Sequence, residues 1–183
     1  YALATLIRQG RGEIENFETL AREMIGVYGG ITALQLAPDG VITQVVPLAG
    51  NESVIGFSPL RDPRQGPETL RVIELRTPGL AGPFELRQGG IGVVGRHPVY
   101  LADESGADRF WGLTQVLIRI DDLLAAAKLQ TLAASGYAYE IWRAHPDDGR
   151  RHVFASSGAF PAARPIDIRI SVPNGEGMLS VAP

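Results

Sequence analysis

The chain has 183 residues, of which 45% are hydrophobic, and its formal net charge is −3. These values are typical of a soluble globular domain, or of two small lobes that share a core. The small negative charge argues against a nucleic-acid surface, which normally shows clustered Lys and Arg. The sequence contains no cysteine, which excludes disulfides, thiolate catalysis and cysteine-bound zinc. No stretch approaches the roughly 18 apolar residues of a membrane span.

The first predicted element is a long N-terminal helix within residues 1–30. Between Phe17 and Tyr28, apolar residues recur at spacings of three and four and form one stripe. Gly29 and Gly30 end the helix, because glycine readily adopts the left-handed conformation found there. The apolar pattern continues upstream through Leu3, Leu6 and Ile7, past two glycines, and extends the helix toward Tyr1.

A hairpin, an irregular segment and a short helix follow. The turn sequence Pro38-Asp39-Gly40 separates two predicted strands over residues 31–37 and 41–46. Residues 49–66 are rich in Gly, Pro, Ser and Asn but contain Val54, Ile55 and Phe57, which predicts an ordered excursion of the type that closes over sites. Pro67 begins a helix that runs to about Leu75, with Leu70 and Ile73 facing inward.

The next hairpin turns at Gly89-Gly90, and its second strand runs from Ile91 to Leu101. Because side chains alternate in a strand, Val94 and Arg96 lie on one face and Val93 and His97 on the other. Gly92 and Gly95 leave room beside this strand, and a strand glycine often marks a close approach by another group.

The C-terminal part alternates a strand, a helix and four further strands. Residues 112–120 form the strand, and Asp121 caps a helix that ends at Ser135-Gly136. The final strands are predicted at 137–144, 152–156, 166–172 and 178–181, with turns at 146–149 and 173–175. The whole pattern predicts an α+β fold with antiparallel sheets.

No arrangement of residues points to catalysis or to a cofactor. The sequence has no nucleophile with a nearby base, no phosphate loop and no carboxylate dyad. Residues 90–95 satisfy the pattern GxGxxG, but they lie inside a strand, whereas a dinucleotide site needs them between a strand and a helix. A metal site is an open alternative at a turn that carries several potential ligands: His145, Asp147, Asp148 and His152.

The ordered set IGFSPLRDP, GPFELRQGG, IGVVGRHPVYL and FWGLTQVLIRIDDLL resembles the CHASE domain family over roughly residues 17–124. This family comprises extracellular sensor domains of plant cytokinin receptors and of bacterial signalling proteins. The resemblance implies a long N-terminal helix (residues 1–30) packed on two PAS-like lobes, a distal one at about 31–121 and a smaller proximal one at about 122–183. It also implies that the chain belongs to a longer periplasmic or extracytoplasmic receptor, anchored only by flanking membrane helices.

Pocket positions carried over from the family give the candidate ligand-binding residues. An acidic position of the cytokinin receptors falls near Ser58, and serine cannot supply that charge, so cytokinin itself is not expected. Arg96 stands at a threonine position and is the best candidate to pair with a small anion, the alternative being an internal ion pair with Glu85 or Asp103. The other positions implied are an apolar wall residue, a turn residue and two residues of the pocket-facing strand: Leu80, Gln88, Leu113 and Gln115. Of the aromatic residues, which are first interpreted as core, two are pocket candidates: Phe84 and Tyr100.

The sequence thus predicts a domain that senses an unidentified small molecule and passes the signal through helices to a cytoplasmic histidine kinase, diguanylate cyclase or phosphodiesterase. We expect no catalytic residue, metal or cofactor in this chain, no nucleic-acid partner, and a homodimer formed through the N-terminal helix. The alternative is a ligand-free dimerisation or protein-contact module of the same receptor. The sensor requires a cavity flanked by Ser58, Gln88 and Arg96, and the contact module requires a filled core and an exposed apolar face on the first helix.

Overall fold

A computed structural model describes residues 1–145, 149–160 and 165–183 and contains two antiparallel sheets. Sheet A has five strands, in the spatial order β2-β1-β5-β4-β3: β1 (Ala33–Pro38), β2 (Gln44–Val46), β3 (Gly79–Glu85), β4 (Ile91–Ala102) and β5 (Asp108–Arg119). Sheet B has four strands, in the order β7-β6-β9-β8: β6 (Ala138–Ala144), β7 (Arg151–Ser156), β8 (Ile166–Val172) and β9 (Gly175–Ala182). All strand pairs are antiparallel, which confirms the predicted α+β class.

The N-terminal region forms two helices rather than the single long helix predicted. These are α1 (Ala2–Gln9) and α2 (Phe17–Val27). Gly10 ends α1, Gly12 has a φ of 109°, and Asn16 is left-handed immediately before α2. A continuous helix cannot pass through such backbone angles. Gly10 and Gly12, past which the apolar pattern had extended the predicted helix, therefore divide it.

Three further helices are α3 (Gly66–Leu75), α4 (Ile120–Ala126) and α5 (Gln130–Ala134). The helix predicted from Asp121 to Ser135 is also divided, because Lys128 adopts a left-handed φ of 55° between α4 and α5. In α3 the prediction that Leu70 faces inward is wrong, since this side chain is 48% exposed. Thr69 and Val72 face the protein instead, and their smaller side chains let the helix lie close to sheet A.

Sheet A is covered on both faces, and the alternation predicted for β4 assigns the faces correctly. Val99 packs with residues of α1 and α2 in one apolar cluster. Val94 packs on the opposite face in a second cluster that includes Ile73 of α3 and Phe57 of the segment 47–65. Because both faces are covered, any polar side chain between the strands and α3 is enclosed within the protein.

Arg143 of β6, in sheet B, contacts both the helix α3 that covers sheet A and the strand β3 of sheet A. Arg143 Nη2 donates to both carboxylate oxygens of Glu68, at 2.8 and 3.0 Å, and Arg143 Nη1 donates to the carbonyl oxygen of Leu80 at 3.3 Å. The Leu80 amide in turn donates to Asn174 Oδ1 at 2.9 Å. The sheets lie within residues 33–119 and 138–182; the division into lobes at 31–121 and 122–183 stays a prediction.

Candidate functional site

A row of polar side chains crosses the middle of sheet A on the face toward α3. Gln115 of β5 lies between Gln35 of β1 and Arg96 of β4 in the strand register. All three are almost fully buried. The neighbouring rows on this face are apolar: Ala33, Leu117 and Val94 on one side, and Ala37, Leu113 and Pro98 on the other. This row therefore places three polar side chains between two apolar rows of the same sheet face.

Arg96 is the most unusual member of this row, because its charge is buried without an ion pair. Its exposed fraction is 2%. Its Nε donates to Gln115 Oε1 at 3.0 Å, and its Nη2 donates to Gln65 Oε1 at the start of α3. Among the described residues no carboxylate forms an ion pair with it, so the internal pairing with Glu85 or Asp103 is wrong.

The electrostatic setting of Arg96 reflects this burial. Loss of solvation lowers the pKa of the guanidinium from 12.5 to about 10, and the more distant charges of Glu68 and Asp62 oppose the shift only in part. Burying a charge without a direct counterion is costly. The site therefore holds positive charge that its own protein partners do not neutralise.

Two hydrogen-bond donors at the centre of the row lack an acceptor. Arg96 Nη1 and Gln115 Nε2 are both buried, and neither has a partner among the described residues. Both residues line a cavity of about 30 Å³, which is room for one or two water molecules. A buried donor without an acceptor is rare in native proteins, so the arrangement is complementary to an acceptor atom supplied from outside the chain.

Residues 47–65, together with the turn between β3 and β4, cover this cavity. The guanidinium carbon of Arg87 lies 4.9 Å from the centre of the Phe57 ring. Gln88 Nε2 donates to Asn51 Oδ1 at 2.9 Å. The remaining lining is mainly apolar: Ile42, Val54, Leu86, Val94 and Leu117. These two contacts join the segment 47–65 to the turn between β3 and β4, and we call them the latch.

The structure brings together three of the eight residues predicted for the site. Gln88, Arg96 and Gln115 line the cavity. Leu113 is fully buried in the adjacent apolar row. Phe84 lies on the far side of the guanidinium, with its ring centre 5.8 Å from Arg96 Cζ, and faces the cleft between the sheets.

The other three predicted residues lie outside this cavity. Ser58 is part of the covering segment, where its carbonyl oxygen accepts from the Arg61 amide, but its neighbour Phe57 takes the lining position. Leu80 pairs with Gly95 in the strand register, on the opposite face of the sheet from Arg96. Tyr100 donates its hydroxyl to the Ile73 carbonyl oxygen at 2.6 Å and so anchors the end of α3.

Sequence reasoning missed Gln35, Asn51 and Gln65. Gln35 does leave a readable signal, since it is the only polar residue in the strand sequence ALQLAP. Gln65 and Asn51 leave none, because their roles depend on how the segment 47–65 returns over the sheet. Gly92 was predicted to leave room for a close approach by another group. The group that approaches it is the Leu86 side chain of the protein itself.

The remaining alternatives receive no support. Residues 90–95 enter an antiparallel strand, which is the wrong context for a dinucleotide. Asp147 and Asp148 of the metal alternative lie outside the described residues, and residues 1–145, 149–160 and 165–183 contain no cluster of three or more metal-ligating side chains. His145 and His152 have ring centres 6.4 Å apart.

None of the helices in the described part of the chain combines the length and the apolar character needed to cross a bilayer. A solved structure, an extracellular ligand binding receptor from Desulfohalobium retbaense DSM5692, is similar in fold, with a TM-score of 0.71 at 15% sequence identity. The match covers 98% of this chain and 35% of the receptor chain, so this chain spans about a third of that protein. No curated protein matches the sequence.

The family model of the CHASE domain matches residues 10–152, which is more than half of the chain. This confirms the resemblance drawn from the sequence motifs. The chain therefore belongs to the CHASE domain family, and it is an extracytoplasmic sensor domain rather than a catalytic one.

Proposed function

We propose that this domain senses a small anionic molecule, which binds between sheet A and the segment 47–65 with its negative group against Arg96. The observation that carries the proposal is the pair of buried donors without acceptors, Arg96 Nη1 and Gln115 Nε2. A carboxylate oxygen accepts from two such donors at once, and charge-assisted hydrogen bonds of this kind are the strong ones. The apolar lining would hold the rest of the ligand.

The ligand-bound state requires the covering segment to move. A cavity of about 30 Å³ is far smaller than the roughly 300 Å³ or more of typical ligand pockets. Opening breaks the contact between Arg87 and Phe57 and the hydrogen bond between Gln88 and Asn51. Ligand binding is thus coupled to the position of residues 47–65, and through Gln65 to the start of α3.

The proposed signal leaves the domain through its helices. In this proposal the two lobes are PAS-like, the domain lies on the periplasmic side of an inner membrane, and flanking helices connect it to a histidine kinase, a diguanylate cyclase or a phosphodiesterase. The antiparallel sheet A with helices on both faces, and the ion pair between Glu68 of α3 and Arg143 of sheet B, support a distal ligand site linked to a proximal lobe.

The alternative, a ligand-free contact module, is less well supported. It requires an exposed apolar face on the first helix, but Leu3, Ala4 and Ile7 of α1 are buried on sheet A. On α2, Phe17 and Ala21 are buried as well. A homodimer through the N-terminal helix stays a prediction; the apolar residues left for it include Val27 and Tyr28 at the end of α2.

A thermal-shift screen against small carboxylates, phosphates and uncharged metabolites tests the proposal. A ligand at 100 times its Kd stabilises the folded state by about 2.7 kcal/mol, which for a domain of this size raises Tm by about 5–11 °C. The shift should disappear in Arg96→Met and persist in Arg22→Met, because Arg22 is an exposed arginine of α2. Equal shifts in the two variants would contradict the site, and no shift across the panel would favour the contact module.

A further inference from the structure

Strand β8 forms an open edge of sheet B that is exposed along almost its whole length. It pairs with β9 on one side, and it is the last strand in the order β7-β6-β9-β8. Each residue from Ile166 to Ser171 is exposed. Proteins normally protect such an edge with charged side chains, lysine above all, or with proline, a bulge or a covering loop. Residues 166–172 contain neither lysine nor proline, and their register with β9 is uninterrupted. Their two charged residues, Asp167 and Arg169, are of opposite sign and do not repel a second copy as a row of like charges would.

The sequence of this edge alternates isoleucine with oppositely charged residues. Ile166, Ile168 and Ile170 occupy one face, with 71%, 49% and 38% of their surface exposed. Asp167 and Arg169 occupy the other face, because successive side chains of a strand point in opposite directions. Exposed β-branched residues in a row on an edge strand favour pairing with another strand.

We propose that β8 pairs with β8 of a second copy of this chain, in antiparallel orientation around a two-fold axis at Ile168. In this register Ile168 faces its own counterpart, and Ile166 faces Ile170 of the second copy. Asp167 then lies opposite Arg169 of the second copy, and the symmetry repeats this ion pair. Opposite charges directly across a sheet stabilise the pair, and packed β-branched residues add to it.

Charge and face together select this register over its neighbours. A shift by one residue would move the isoleucines of one copy onto the charged face of the other. A shift by two residues would place Asp167 against Asp167, or Arg169 against Arg169, and like charges across a sheet are destabilising. The sequence IDIRI is thus self-complementary in the register centred on Ile168.

The present contacts of Asp167 and Arg169 leave both side chains able to pair with a second copy. Arg169 Nη1 lies 3.2 Å from Glu176 Oε1, with both side chains more than half exposed, and exposed ion pairs of this kind contribute little. Asp167 accepts from Ser180 Oγ at 2.5 Å and retains a second oxygen for an arginine. Pairing joins the two four-stranded sheets into one of eight strands, with a closed, isologous interface.

This dimer is expected to be weak, because a single pair of strands buries less area than a standard interface. Its formation is therefore measured by sedimentation velocity as a function of protein concentration. The two charge reversals Asp167→Arg and Arg169→Asp should each weaken self-association by about tenfold or more. The double variant, in which the two charges are exchanged, should associate like the wild type.

Mixing the two single variants gives a sharper result. Asp167→Arg carries two positive side chains at these positions and Arg169→Asp two negative ones, so each is self-repelling but they complement each other. The mixture should form a heterodimer although neither variant associates alone. Variants that associate as well as the wild type, or a mixture that stays monomeric, would overturn the proposal, as would a wild type that stays monomeric at all concentrations.

Cross-linking through introduced cysteines checks the register. Because the chain has no native cysteine, each disulfide can form only between the introduced residues. Residues opposite each other in an antiparallel pair have Cα atoms about 4.5–5.5 Å apart, within the range of a disulfide. Ile168→Cys should therefore cross-link to its own copy under oxidation. Ile166→Cys alone should not, because its counterpart lies about 13 Å along the strand, but it should cross-link when mixed with Ile170→Cys. Dimers formed instead by Tyr28→Cys alone, without any cross-link through β8, would assign the contact to the N-terminal helix and overturn the proposal.

Discussion

Replacement of Arg96 by methionine should change the free energy of unfolding of the ligand-free protein by no more than about 2 kcal/mol, because a gain and a loss oppose each other. Burial lowers the pKa of this guanidinium from 12.5 to about 10, which corresponds to about 3 kcal/mol against the charged form at about 1.4 kcal/mol per pH unit. The substitution removes this cost but also removes hydrogen bonds to Gln65 and Gln115, which contribute about 1.5–3 kcal/mol each when one partner is charged. A new hydrogen bond between the Gln65 and Gln115 side chains should offset part of the lost hydrogen-bond energy. Gln115 Nε2 has no present partner and can donate to the Gln65 oxygen that the substitution frees.

These opposing contributions leave a net change within about 1–2 kcal/mol. Equilibrium unfolding in urea measures it, with the midpoint compared at an unchanged slope. Since about 1 kcal/mol shifts Tm by about 2–4 °C in a domain of this size, a thermal melt should move by less than about 8 °C in either direction.

Arg143 is the matched control, because its side chain is also largely enclosed, with 12% of its surface exposed, but has a carboxylate partner. Arg143→Met leaves the Glu68 carboxylate, which is 14% exposed, without its counterion. Breaking a buried ion pair from one side costs about 3–5 kcal/mol, and the partial exposure reduces this to about 2–4 kcal/mol. If Arg96→Met destabilised the protein as much as Arg143→Met, Arg96 would be a structural residue and the reasoning behind the ligand site would fail.

Three further perturbations follow from the geometry. Arg87→Ala removes the contact with the Phe57 ring and should speed amide hydrogen exchange across residues 49–57. The free energy of unfolding should fall by less than about 1 kcal/mol. Unchanged exchange would show that the latch does not hold the segment. Gly112→Ala places a Cβ 2.2 Å from the Ala37 carbonyl oxygen. It should lower the free energy of unfolding measured in urea by about 2–4 kcal/mol. A decrease below about 0.5 kcal/mol would contradict this contact. The pKa of the half-buried His97 is lowered to about 4, chiefly by burial. Since the unfolded chain takes up the proton near pH 6.5, the free energy of unfolding should fall by about 1–2 kcal/mol between pH 6.5 and pH 4. This loss should be absent in His97→Gln.

The motifs of the sequence were sufficient to identify the family, the α+β class and most of the strands. Strand periodicity identified β4 and the alternation of its faces, because a period of two is a local property of the backbone. The N-terminal helix was predicted too long, since an apolar stripe reports which residues are buried and not whether the backbone between them is helical. Gly10, Gly12 and Asn16 divide it.

For the candidate site, the sequence singled out Arg96 and its neighbours Gln88 and Gln115 but could not say what surrounds them. Register alone brings Gln35 beside Gln115, and it depends on the pairing of strands about 80 residues apart in the chain. The return of residues 47–65 over the sheet places Gln65 on Arg96 and leaves Ser58 outside the cavity. Local pattern therefore determined which residues are extended, buried or charged, whereas only the tertiary structure decided which of them meet, because those contacts are made between segments whose separation no local preference encodes.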